Sequence, residues 1–297
     1  MNKTNYLVSI VIPTFNHSQY LKQALKSIIN QTYENWEVIV VDNYSVDDTE
    51  KIVANFKNNK IKYLKNHNNG IIAASRNIGI NASKGEWIAF LDSDDWWTKD
   101  KLKTCIDKIN DEVDLIYHDL EIVSNNPILF GRKKIKSRKL KKPIIIDLLI
   151  NGNAINNSSV IVRKKLLERI NGIDEKKDLV AAEDFNTWLR IASLTDQYIY
   201  LPKTLGYYLI HDQSISKKDM SLPTRNATKE FLGYLTEAQR LKQEALFRYI
   251  SGRFCYLNNN FKKSKKDLLF ALRNGNIQLK IKSLLMIIII KLKNINE

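Results

Sequence analysis

Two carboxylates one residue apart, Asp92 and Asp94, stand with Ser93 in a turn that follows the apolar run Trp87 to Leu91. Paired oxygen ligands in a loop can hold a hard divalent cation, Mg2+ or Mn2+, and leave positions for phosphate oxygens and water. Such a cation neutralises charge that develops on a departing diphosphate. An acidic turn is also what a helix start attracts, because Asp94 and Asp95 favour the positive end of the following helix dipole. The triplet alone leaves both readings open.

The elements around it are short apolar strands alternating with amphipathic helices. Leu7 to Ile12 and Trp36 to Val41 are continuous apolar runs, as expected of strands buried on both faces. Ile61 to Leu64, Trp87 to Leu91 and Asp114 to Tyr117 read as further strands. Helical spacing runs from Tyr20 to Ile29, with Ser18 as N-cap, over Ile52, Val53 and Phe56, from Gly70 to Ile80, and through Leu102, Cys105, Ile106 and Ile109 behind Thr98. This alternation predicts an α/β domain with a mainly parallel sheet. Ligands of such sheets bind beyond the carboxyl ends of the strands. Pro13-Thr14, Asp42 and Asp92 to Asp95 all fall at such ends, so three strands deliver polar groups to one edge. Further on, Ser158 to Val162 and Tyr198 to Leu201 read as strands and Ala182 to Ser193 as a helix. After Lys217 only helices are expected, over 246–257, 261–272 and 277–292.

Four stretches in order carry a resemblance. They are Val8-Ser9-Ile10-Val11-Ile12-Pro13-Thr14-Phe15-Asn16, then Val40 to Thr49, Asn69 to Gly79, and Gly85 to Asp95 with its Phe90-Leu91-Asp92-Ser93-Asp94-Asp95 end. Together they resemble the family 2 glycosyltransferases over about residues 7–216. The resemblance implies the GT-A fold, a Rossmann-like, mainly parallel sheet with helices on both faces, followed here by an all-helical C-terminal region. It implies a catalytic domain over 1–216, with a donor half to about 125 and an acceptor half from about 143, and a helical region over 217–297.

The same resemblance assigns roles. Pro13, Thr14 and Asn16 would line the nucleoside pocket, Asp42 would meet the nucleobase, and Arg76 would reach the diphosphate with its guanidinium fork. Asp92 would contact the ribose, Ser93 would share the nucleotide-sugar site, and Asp94 would bind Mn2+ or Mg2+. Ala182-Glu183-Asp184 resembles the family's Glu-Asp motif at a helix head; Asp184 would be the general base for the acceptor hydroxyl, with Glu183 and Trp188 on the acceptor side. One base without a covalent intermediate implies inversion at the anomeric carbon. His211 matches a position where a histidine completes the metal site. Where the family often has Asp-Asp-Gly-Ser, this chain has Asp42-Asn43-Tyr44-Ser45. Asp42 to Thr49 and His67 to Asn77 are similar to O-antigen transferases that add β-linked glucose or galactose to an N-acetylhexosamine. The expected donor is therefore a UDP-sugar, and the expected acceptor a saccharide, polyprenyl-diphosphate-linked, in surface polysaccharide synthesis.

The net charge of +15 is unevenly spread. Residues 1–130 hold 14 Lys/Arg against 17 Asp/Glu, and residues 217–297 hold 17 against 6. The stretch Gly131 to Lys142 has 8 basic residues and no acid. No nucleic-acid motif accompanies this charge, so an anionic membrane surface is the better partner. The run Leu284 to Ile290 is bracketed by Lys282 and Lys291 and is far short of the ~20 residues a span needs. A buried helix and an interfacial helix both fit it. Cys105 and Cys255 have neither disulfide nor zinc spacing, and the first residues lack signal-peptide features. A cytoplasmic protein, peripheral on the inner face of the cell membrane, is expected. A nucleotidyltransferase would want a Gly-rich loop after its first strand, and Pro13-Thr14-Phe15-Asn16 is not one. A non-catalytic sugar-nucleotide binder would have no use for both Asp94 and Asp184.

Overall fold

Every residue of β1 (Val8–Thr14) is buried, and the strand is flanked on both sides in register by parallel neighbours. Those neighbours are β2 (Trp36–Asp42) and β4 (Trp87–Phe90); β3 (Ile61–Lys65) continues the parallel set beyond β2. Such burial is why these runs are apolar without alternation. The structure is a computed structural model that describes residues 5–124, 134–135, 137–211 and 218–293. Part of the basic stretch 131–142, residues 131–133 and 136, lies outside the described residues, as do 212–217.

Helices α1 (Ser18–Ile29), α2 (Thr49–Asn55) and α3 (Ile72–Ala82) connect the parallel strands. Gly79 of α3 lies so close to β1 that a Cβ there would be 2.3 Å from Val11 Cγ1. Ser18 is the first residue of α1, not its N-cap; its N–H is taken by Asp47 Oδ2 at 2.9 Å. Beyond β4 the sheet turns mixed. Strands β5 (Trp96–Trp97), β6 (Leu115–Ser124), β7 (Lys134–Ile135), β8 (Ile161–Arg163) and β9 (Tyr198–Ile210) complete the order β3-β2-β1-β4-β8-β6-β9-β5, with β7 on β6. The expected α/β sheet, parallel in its first half, is present. The strand expected at 158 starts later, because Asn156 captures the Ser158 N–H and winds Asn157–Ser159 into a 3-10 turn.

β9 is three times the expected length. It pairs parallel to β6 with register shifts beside His118 and Asp119, so Leu201 faces His118 and Thr204 faces Asp119. Pro202 and Lys203 fall in that irregularity, which tolerates a residue without an N–H. This extension carries the chain to His211.

Helix α4 (Lys101–Ile106) starts after Asp100, to which Thr98 only donates a side-chain bond, so Thr98 is not its cap. Its first residue, Lys101, is fully buried, with its ammonium 3.7 Å from the Trp97 ring centroid. Burial lowers the Lys101 pKa from 10.5 to about 8. The unfolded chain therefore binds a proton between pH 8 and 10.5 that the folded chain does not, and stability rises with pH across that window. Stability on the acid side of the window is lower by roughly 3 kcal/mol. Lys101→Met is expected to raise the thermal midpoint at neutral pH and to remove this rise from the stability–pH curve. An unchanged curve would show that Lys101 does not carry it.

The chain divides into two compact units. One contains residues 1–140, 154–177 and 194–213, and holds the whole sheet and α6 (Lys164–Arg169). The other contains 141–153, 178–193 and 214–297. It gathers α5 (Ile144–Asn151), α7 (Glu183–Ala192), α8 (Ser221–Thr228), α9 (Glu237–Leu257), α10 (Phe261–Asn274) and α11 (Ile277–Lys293). Two segments from the middle of the chain thus pack with the C-terminal helices, where the sequence suggested a single cut at 216. Helix α9 begins nine residues earlier than its apolar spacing suggests, at a capping box of Thr236 and Gln239.

Candidate active site

The turn after β4 is held by buried polar groups. Arg76 reaches from α3, 3% exposed, and its guanidinium pairs with Asp92 Oδ1 at 2.8 Å. The same oxygen accepts from Asn157 Nδ2 at 3.0 Å, and the Asp92 N–H donates to Ser158 Oγ at 3.1 Å. Asp95 is buried and accepts the Leu209 N–H at 3.1 Å. Burial, then the charges of Asp94 and Asp92, push the Asp95 carboxyl well above the usual carboxylate range. Asp95 therefore ties the acidic turn to the end of β9, two residues before His211.

That tie brings His211 to Asp94, with Nε2 2.9 Å from Oδ2. Two side chains not expected from the sequence complete the cluster. His17 Nδ1 lies 2.9 Å from Ser93 Oγ, and its ring meets His211 edge-on at 5.7 Å. Tyr20, at the start of α1, stacks on His211 at 5.3 Å. Their sequence signal is position alone: both follow Asn16 at the carboxyl end of β1. Burial lowers the His17 pKa, and burial followed by the Asp92 charge raises that of Asp94. Among the described residues no group of three or more His, Cys, Asp or Glu is arranged to hold a metal. Asp94 and His211 supply two donors, an oxygen and a nitrogen, of the kinds that suit Mn2+.

The ends of β1 and β2 form the adjoining edge. Pro13 and Thr14 are buried, and Thr14 Oγ1 has no hydrogen-bond partner among the described residues. Asn16 takes a left-handed φ of 52° and locks the two loops together. Its N–H donates to Ser45 Oγ at 2.8 Å, and its Oδ1 accepts the Val46 N–H at 2.9 Å. Asp42 is buried and accepts from the Ser45 N–H and hydroxyl and from the Tyr63 hydroxyl at 2.6 Å. Burial and the bond to Asp42 raise the Tyr63 pKa. Tyr44 adopts φ 54°, the backbone a glycine would take there, and stacks on His67 at 3.7 Å. At this departure from Asp-Asp-Gly-Ser the chain thus takes a left-handed turn and carries an aromatic pair.

Asn77, inside the Ser-Arg-Asn stretch, has a structural task. Its amide donates to the Ile173 carbonyl at 2.8 Å and Glu175 Oε1 at 2.7 Å, and its Oδ1 accepts the Ile173 N–H at 2.8 Å. Gly172 makes room, since a Cβ there would lie 2.6 Å from Asn77 Oδ1 and its φ is +74°.

The residues expected on the acceptor side belong to the helical unit. Asp184 stands in the first turn of α7; Oδ1 accepts the Phe185 N–H at 2.6 Å and Oδ2 accepts from Asn153 Nδ2 at 3.3 Å. Ala181, just before them, holds φ +74°, a strained backbone for a residue with a Cβ. Glu183 is 7% exposed and Trp188 is 1% exposed. Both side chains are therefore largely enclosed within the helical unit.

A family model described as "Glycosyl transferase family 2" matches residues 9–170, more than half of the chain. The chain belongs to glycosyl transferase family 2. This family 2 glycosyltransferase is 33% identical over 191 residues to the UDP-Glc:alpha-D-GlcNAc-diphosphoundecaprenol beta-1,3-glucosyltransferase WfgD of Escherichia coli, covering 63% of this chain and 70% of that one. It is 28% identical over 247 residues to the GalNAc(5)-diNAcBac-PP-undecaprenol beta-1,3-glucosyltransferase of Campylobacter jejuni, covering 80% and 74%. Its fold matches Staphylococcus aureus TarS 1–349 in complex with UDP-GlcNAc with a TM-score of 0.63 at 22% identity, over 92% of this chain and 82% of that one. The fold is GT-A with added C-terminal helices. Asp184 and His211 both lie beyond the stretch the family model matches.

Proposed function

We propose that the enzyme transfers glucose, with inversion, from UDP-glucose to an N-acetylhexosamine carried on polyprenyl diphosphate, in surface polysaccharide synthesis. The observation that carries this reading is the convergence of Arg76, Asp92, Asp94 and His211 at the carboxyl ends of β4 and β9. Donor and acceptor follow the two relatives, both named as β-1,3-glucosyltransferases acting on undecaprenyl-linked glycans. The donor half lies in the first part of a catalytic region over residues 1–216. The enzyme works on the cytoplasmic side of the membrane that carries its acceptor; no helix among the described residues is long and apolar enough to cross it.

Thr14, Asn16 and Asp42 would bind the nucleoside, and Asp92 the ribose. Arg76 is fixed by Asp92, so its guanidinium meets phosphate oxygens without first being ordered. Asp94 and His211 would hold Mn2+ or Mg2+, which supplies charge neutralisation to the leaving diphosphate. Asp184 would take the proton of the acceptor hydroxyl as that oxygen bonds to the anomeric carbon. The carbon–oxygen bond to the diphosphate breaks on the opposite face, UDP leaves with the bonding pair, and an α-linked donor gives a β-linked product.

Incubation with UDP-glucose, Mn2+ and a synthetic N-acetylglucosaminyl diphospho-lipid is expected to give a β-1,3-linked disaccharide, read by mass and NMR. Transfer from UDP-galactose or a UDP-N-acetylhexosamine in place of UDP-glucose would overturn the donor assignment. No transfer from any of these would overturn the reaction.

A further inference from the structure

Helix α11 has two apolar faces, and only one is packed. Ile287 and Ile290 are buried against Leu268 of α10. On the other side Ile281, Leu284, Leu285, Ile288, Ile289 and Leu292 are each between 43% and 58% exposed. Their spacing of three and four places all six on one stripe along the helix. Single exposed apolar residues are ordinary, whereas a stripe running the length of a helix marks a surface that meets something. The helix contains no acidic residue. At the helical step of about 100°, Lys280 and Lys291 border the stripe on one side and Lys282 on the other.

We infer that this face of α11 lies on an anionic lipid surface, with the helix axis parallel to the membrane. The apolar stripe enters the headgroup boundary, and the bordering lysines extend to lipid phosphates. Charge selects this occupant. Residues 217–297 carry 17 basic against 6 acidic residues, so a second copy seated on the same face would oppose lysine to lysine. A layer of phosphates complements the exposed Lys280 and Lys291 border. A membrane-borne acceptor, as proposed above, gives the docking a purpose, while the surface itself stands without that reading.

The test is flotation of the full chain with vesicles of phosphatidylcholine alone or doped with phosphatidylglycerol, with UDP-sugar hydrolysis measured on the same samples. The native chain is expected to float with the anionic vesicles, less so as salt rises. Leu285→Gln/Ile288→Gln/Leu292→Gln is expected to weaken partitioning roughly tenfold or more. Its far-UV circular dichroism and hydrolysis of the soluble donor are expected to match the native chain. Lys280→Gln/Lys291→Gln is expected to weaken binding by about fivefold per lysine at low salt and to flatten the salt dependence. A triple variant that fails to fold leaves this lysine pair as the deciding comparison. A native chain that ignores anionic vesicles overturns the inference, and so does either variant binding them as the native chain does. A dimer that the triple variant disperses, with no lipid binding by either, assigns the face to a second copy. Loss of hydrolysis in every sample with lipid binding intact would sink the catalytic reading and leave the docking face standing.

Discussion

Asp94→Ala is expected to lower kcat/KM for sugar transfer by on the order of a thousandfold, at least as much as removing one preorganised charge-stabilising group from an active site. That factor corresponds to about 4 kcal/mol of lost transition-state stabilisation. The size follows from the small number of donors: Asp94 and His211 meet at 2.9 Å, and among the described residues nothing forms a third-ligand group with them. With one of the two proposed protein donors gone, a cation would be left to His211, the diphosphate and water. Mn2+ affinity, followed by electron paramagnetic resonance, is expected to fall together with donor hydrolysis. UDP affinity measured without metal should change little, because Arg76, Asp92 and the strand-end loops remain. A variant that kept a tenth of the native rate, or that kept Mn2+ affinity, would remove Asp94 from this role.

Asp184→Asn is the second large effect, expected to lower kcat for transfer by about a hundredfold to ten-thousandfold, the range a positioned general base contributes. Asparagine keeps the shape and can still accept the Phe185 N–H that Asp184 accepts at 2.6 Å. What it loses is the capacity to take a proton. Donor affinity is therefore expected to stay within a few-fold of native, and the defect to appear in kcat rather than KM. The two groups belong to different units: Asp184 heads α7 in the helical unit, and Asp94 follows β4 in the unit that holds the sheet. Full transfer activity in this variant would assign the proton to another group.

The first half of the sheet was legible because β1, β2 and β4 are almost wholly buried and spell their burial as apolar runs interrupted only at Ser9 and Glu37 before their polar ends. The polar residues at their ends were legible for the same reason, since the strands fix where the chain must emerge. β9 was legible only over its first four residues, because Pro202, Lys203 and Gly206 break the pattern that pairing with β6 restores. His211 was reached by resemblance, and the physical route to it, through Asp95 and Leu209, is a tertiary contact that no local pattern carries. His17 and Tyr20 were missed on the same ground. The burial of Trp188, at 1% exposed, was not legible from its place beside the Glu183-Asp184 motif, because enclosure depends on tertiary packing. α5 went unread because Ile144 to Ile150 is apolar on nearly all sides and too short for period to tell helix from strand. In α11 the sequence left a choice between a buried and an interfacial helix, and the structure buries one apolar face and leaves the other exposed.

The bonds from Asn16 to Ser45 and Val46, with Asp47 on the Ser18 N–H, join the loops after β1 and β2 into one piece before any nucleotide arrives. The conformational entropy of both loops is spent during folding rather than on binding. For the nucleoside proposed to bind at this edge, lock-and-key recognition is expected, with association limited by encounter and a small entropic penalty in calorimetry. It also makes Asn16 a hinge pin whose removal would slow binding at two loops together, although it belongs to only one.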